Sequence, residues 1–139
     1  MARTRRRPGT LRFSLDTNTF LWLLGDPTRL TPDAQDAVTD PANEVFVSVV
    51  VIWEIVIKFA LGKLRLAGDT ARWLPGELSG RDLAPLSVTL EHVLAVEHLP
   101  LHHRDPFDRL LVAQARAESL TVVTHDRAFA AYDVPVLWT

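Results

Sequence analysis

Short runs of β-forming apolar residues recur along this chain, and each gives way to a stretch with helical spacing. Strands separated by helices pair in parallel through right-handed crossovers, so this alternation constrains the fold more than any single motif. Leu11 to Asp16 alternates apolar with smaller or polar residues and runs through Asp-Thr-Asn into a predicted helix, Thr19 to Leu24, which Gly25-Asp26-Pro27 stops. Thr31-Pro32-Asp33 supplies an N-cap, a proline at the first helical position and an acid in the first turn of a helix to about Thr39. Val45 to Val49 predicts a second strand, and Ser48 or Val49 opens a long helix to about Leu61, with Gly62 past its end.

The spacing then predicts a short helix over Thr70 to Leu78 capped by Asp69, a strand over Leu83 to Leu86, and a helix over Thr89 to His98 before Pro100. Asp105-Pro106 starts the clearest helix, Phe107 to Ser119. A strand from Leu120 to Thr124, a short helix from Arg127 to Tyr132 and a closing strand from Val134 to Trp138 complete the chain. These elements predict an α/β fold, a three-layer α/β/α sandwich around a central, mostly parallel sheet. With 139 residues and 47% apolar content, the chain reads as one domain large enough to bury a core without staples.

Composition removes several chemistries. No cysteine is present, which excludes disulfides, thiolate zinc sites and cysteine nucleophiles and is compatible with a cytoplasmic location. No apolar run approaches a transmembrane length, so no membrane partner is expected. The net charge of −2 conceals an asymmetry: residues 1–12 carry five arginines and no acid, leaving 10 Lys and Arg against 17 Asp and Glu, a charge of −7. Residues 1–10 read as a flexible arginine-rich arm, either a plain extension or a nucleic-acid contact, ahead of a single domain over residues 11–139. An acidic body coats RNA poorly but suits bound cations, which reverse the local potential.

Four carboxylates fall where this topology gathers ligands, outside the carboxyl ends of the strands. Asp16 and Asp126 follow predicted strands directly, while Glu54 and Asp108 sit in early turns of helices that begin at the same edge. Converging acids with no cation repel one another, whereas Mg²⁺ or Mn²⁺, being hard ions, prefer carboxylate oxygens. Each acid also has a plainer use. Asp16 could cap its helix, though Thr17 or Asn18 could do so instead, and Asn18 could equally orient the Asp16 carboxylate. Glu54 could pair with Lys58 four residues on, but its neighbours Trp53, Ile55, Val56, Ile57 and Phe59 leave a charge there in need of a partner or a metal.

Asp105 reads as the cap of the helix that Asp108 enters, and Asp108 shares a helical face with Leu111. Arg109 reads as an ion-pair partner ahead of a phosphate contact. Thr124 is placed to hydrogen-bond a carboxylate, and Asp126 could both cap and ligate. His102, His103 and His125 lack the paired helical spacing of a zinc site and read as solvated. Asp16-Thr17-Asn18 offers neither the adjacent acidic pair of a receiver domain nor the Asp-x-Asp of an acid phosphatase.

Four stretches together carry a family resemblance: Leu15 to Leu24 beginning Leu-Asp-Thr-Asn, Ser48 to Leu64 around Trp53-Glu54, His103 to Ala115 around Asp105-Pro106-Phe107-Asp108, and Val123 to Phe129 around Thr124-His125-Asp126. At these residues the chain resembles a PIN-domain ribonuclease, specifically a VapC-type toxin of a toxin–antitoxin pair, over everything from Leu11 onward. The resemblance implies the family's four acids at Asp16, Glu54, Asp108 and Asp126, with Thr124 supporting. It implies Mg²⁺- or Mn²⁺-dependent hydrolysis of single-stranded RNA regions to a 3′-hydroxyl and a 5′-phosphate. It further implies a homodimer held by a co-encoded antitoxin whose C-terminal segment lies in the active-site groove. A catalytically silent partner-binding module, and a PIN nuclease of RNA processing, are the alternatives.

Overall fold

Five short strands form one sheet: β1 (Arg12–Leu15), β2 (Glu44–Ser48), β3 (Leu83–Leu86), β4 (Thr121–Thr124) and β5 (Val136–Trp138). The computed structural model describes residues 10–64, 68–101 and 105–139. All four pairings are parallel, in the order β3-β2-β1-β4-β5. Phe13 in the central strand lies opposite Val45 of β2 and Thr121 of β4. All four β1 residues are buried, as a strand covered on both faces must be, which makes the architecture the expected three-layer α/β/α sandwich. From β1 the chain moves outward through β2 to β3, then returns to the far side of β1 for β4 and β5. The direction of winding therefore reverses between β1 and β4, and the crevice belongs at their carboxyl ends.

The helices are α1 (Thr17–Gly25), α2 (Pro32–Thr39), α3 (Val49–Ala60), α4 (Thr70–Gly80), α5 (Leu90–Ala95) and α6 (Pro106–Glu118). The first starts two residues before the expected Thr19, because the Asp16 carboxylate itself receives the Thr19 N–H and caps it. Ser48 resolves the other ambiguous start: it ends β2 and caps α3 through the Val50 N–H. Gly62, with φ of +70°, follows that helix in the left-handed conformation glycine accepts cheaply. The helix expected over Thr89 to His98 divides into α5 and a 3₁₀ turn, Val96–His98, and the last short helix is also a 3₁₀ turn, Arg127–Ala131.

Leu15, Phe20, Val47, Ile55, Leu111 and Val122 are fully or nearly fully buried at the centre of the core. Each such side chain contributes roughly 1.5–3 kcal/mol relative to exposure. Packing of α3 against both α1 and α6 brings the early turns of three helices together. The predicted arginine arm falls almost wholly on residues 1–9, and His102 and His103 also lie outside the described residues.

Candidate active site at the carboxyl edge of β1 and β4

Asp16 leaves the end of β1, where its backbone N–H still reaches Val123 O in β4 at 3.3 Å. Its side chain is buried. Oδ1 accepts the Thr19 N–H at 2.9 Å and Oδ2 accepts the hydroxyl of Thr124, the last residue of β4. Among the described residues no cation pairs with this carboxylate. A buried anion held only by an amide and a hydroxyl is the kind of group that a bound metal ion would neutralise. Asn18 is exposed in the first turn of α1, whose cap is Asp16.

Thr124, completely buried, also accepts the backbone N–H of Asp126 at 3.0 Å. Asp126 in turn caps the final 3₁₀ turn through the Ala128 N–H at 3.0 Å. On the opposite side, the Thr17 hydroxyl donates to Glu54 Oε1, which joins the start of α1 to α3. From sequence Thr17 reads only as a possible cap, because nothing local signals a partner 37 residues away. Glu54 also forms the ion pair that its spacing allows, with Lys58 Nζ at 3.5 Å. The helix around it is less enclosed than its composition suggests, since Trp53 and Val56 are exposed.

Asp108 is half-buried in the first turn of α6. Asp105 caps that helix as expected, accepting from the N–H groups of Phe107 at 2.9 Å and Asp108 at 3.4 Å. The rings of Trp53 and Phe107, next in sequence to Glu54 and Asp108, meet edge to face with centroids 5.0 Å apart. Thus Asp16 is linked to Asp126 through Thr124, Glu54 to the residue beside Asp16 through Thr17, and Glu54 to Asp108 through flanking aromatics. Arg109 differs from its expected ion-pair role. Its guanidinium donates to the carbonyls of Pro100, Val96 and Leu99 and to the Tyr132 hydroxyl, so it holds the turn ahead of α6.

Residues 14–135 match the family model of the PIN domain. The chain belongs to the PIN-domain family. Solved structures with the same fold include VapBC2 from Rickettsia felis bound to a promoter DNA fragment, at 17% identity and a TM-score of 0.70, covering 93% of this chain and 99% of that one. DNA-bound VapBC from Salmonella typhimurium aligns at 18% identity and TM-score 0.65, covering 93% and 98%. VapBC-5 from Mycobacterium tuberculosis aligns at 23% and 0.56, covering 91% and 96%. At these identities the likeness is one of fold. No protein of curated function matches the chain.

The chemistry of the four expected acids would suit a hard divalent ion, since all are carboxylates, no thiolate is present, and the buried Asp16 has no cation among the described residues. As posed, however, no three His, Asp or Glu side chains among the described residues are arranged to share an ion. Glu54 is turned to Thr17 and Lys58, and Asp126 to the Ala128 amide. Ion binding at this edge would exchange such contacts for metal–oxygen bonds.

Proposed function

We propose that this PIN-domain protein is a Mg²⁺- or Mn²⁺-dependent endoribonuclease that cuts single-stranded regions of RNA, and that it acts as the toxin of a type II toxin–antitoxin pair, inhibiting translation in the cytoplasm. The observation that carries the reading is the buried Asp16 carboxylate at the switch point of a parallel sheet, tied through Thr124 to the backbone of Asp126. Asp16, Glu54, Asp108 and Asp126 are the residues that would hold the ion. When bound, it supplies an acidified water for in-line attack on phosphorus and neutralises charge on the leaving 3′-oxygen. Thr124 fixes the rotamer of Asp16, so that this carboxylate needs little reorganisation when substrate arrives, whereas Glu54 would exchange its Thr17 and Lys58 contacts for the ion.

The antitoxin partner is supported by the VapBC complexes that share the fold. A homodimer is supported by the apolar side chains Leu90, Val93 and Leu94 exposed on α5, and no helix among the described residues is long and apolar enough to cross a membrane. One observation favours a second reading, a catalytically silent module: Glu54 already has Lys58 as its counterion. Incubation of purified protein with single-stranded RNA decides between them. Cleavage with Mg²⁺ or Mn²⁺ that stops in EDTA is expected, with 5′-phosphate on the products; undiminished cleavage in chelator would remove the metal, and no cleavage under any metal would favour the silent module.

A further inference from the structure

Beside the acids, on the β4–β5 side of the same edge, lies a strip of aromatic and cationic side chains that the cleavage chemistry does not use. His125, exposed, sits between Thr124 and Asp126, and its ring meets that of Trp22 in α1 with centroids 4.8 Å apart and planes inclined by 51°. The Arg29 guanidinium lies over Trp22, its central carbon 4.3 Å from the ring centroid. Arg29 belongs to a 3₁₀ turn, Pro27–Arg29, and the following segment is fastened to the same edge: the Thr31 N–H donates to Thr139 Oγ1 at 2.9 Å, and the Thr139 N–H to Thr124 O at 3.0 Å. One residue past Asp126, Arg127 repeats the pattern over Trp138 at 4.4 Å.

We propose that His125, Trp22 and Arg29 form a nucleotide subsite, in which a base of single-stranded RNA stacks on the exposed His125 ring that Trp22 contacts and its phosphate meets Arg29. The inference rests on the ribonuclease reading of the neighbouring acids and assigns the surface that grips the substrate. Its physical basis is threefold. An exposed ring held in tilted contact with an indole loses little freedom when a base stacks on it. The body of the protein is acidic, so phosphate attraction must come from local cations, and Arg29 and Arg127 supply two on this rim. The strip also begins at the residue that precedes Asp126, so a base stacked on it would lie on the same sheet edge as the proposed ion-binding acids.

The test measures binding apart from cleavage. A fluorescein-labelled, mixed-sequence single-stranded RNA of about 12 nucleotides is titrated by anisotropy in EDTA and low salt against wild type, His125→Ala, His125→Phe and Arg29→Ala. Loss of the stack in His125→Ala should weaken binding at least about 5-fold, and His125→Phe, which keeps a π face, should bind near wild-type strength. Arg29→Ala should reduce the slope of log affinity against log salt by about 0.7, the value of one phosphate contact on a single strand. Wild-type affinity in both alanine variants, or no RNA binding by wild type, overturns the subsite. The parallel cleavage assay in Mg²⁺ keeps the two readings apart: cleavage with unchanged alanine-variant binding sinks the subsite alone, and stacking-dependent binding without cleavage sinks the nuclease alone.

Discussion

The Thr124 hydroxyl donates to Oδ2 of Asp16 across 108 residues of chain, and Thr124 Oγ1 accepts the backbone N–H of Asp126 at 3.0 Å. One buried side chain therefore sets the rotamer of one strand-end acid and the backbone position of the other. Thr124→Val keeps the shape and deletes both bonds, leaving a buried carboxylate oxygen and an amide each short of a partner. It should cost roughly 1–3 kcal/mol and slow cleavage. Thr124→Ser keeps the hydroxyl and loses about one methyl, ~0.8 kcal/mol, with most activity retained. Equal melting temperatures and rates for the two variants would remove the hydroxyl from the argument.

Asp16 serves as both cap and proposed ligand, and two substitutions separate these uses. Asparagine keeps an oxygen acceptor for the Thr19 N–H and is as good an N-cap as aspartate. Asp16→Asn should therefore keep the cap, exchanging only the Thr124 contact, and melt above Asp16→Ala while cleavage falls by orders of magnitude. Asp16→Ala removes the cap as well and should lose about 0.5–2 kcal/mol in addition. Retained cleavage in Asp16→Asn would show that the charge at this position is not needed for chemistry.

Much of this was legible in the sequence because it is local. The five strands and their order of appearance follow from β-rich runs, and Thr31, Asp105 and Gly62 mark helix ends by residue type alone. What was not legible depends on partners far along the chain. Thr17 donates to Glu54, and Arg109 turns from carboxylates to the carbonyls of Val96, Leu99 and Pro100, because tertiary packing put those oxygens within reach. The early start of α1 has the same origin in miniature, since either Thr17 or Asn18 was as plausible a cap as Asp16 until the backbone directions were fixed. The split of α5 into helix and 3₁₀ turn follows the loop that Arg109 gathers in, and has no periodic signature.

Arg109 yields a prediction of a different kind. Its guanidinium spreads over four oxygens in a fork that an ammonium cannot reproduce. Arg109→Lys should therefore destabilise almost as much as Arg109→Ala, on the order of 1–3 kcal/mol, by denaturant melting. Rescue of stability by lysine would indicate that charge, and not the fork, holds the turn ahead of α6.

The two acids of Asp105-Pro106-Phe107-Asp108 should respond in opposite ways. Asp105 accepts the N–H groups of Phe107 and Asp108 at the start of α6, so Asp105→Ala should cost about 0.5–2 kcal/mol, with cleavage largely retained below the melting transition. Asp108, three residues on and half-buried, is carried by that helix beside Phe107, whose ring packs on Trp53 next to Glu54. As a proposed ligand it contributes to the transition state more than to the apo fold, so Asp108→Ala should lose activity by orders of magnitude with little change in melting. One melting curve and one RNA time course per variant, at a metal concentration that saturates wild type, make the comparison. An inactive Asp105→Ala beside an active Asp108→Ala would reverse the assignment and turn the crevice toward the other face of α6.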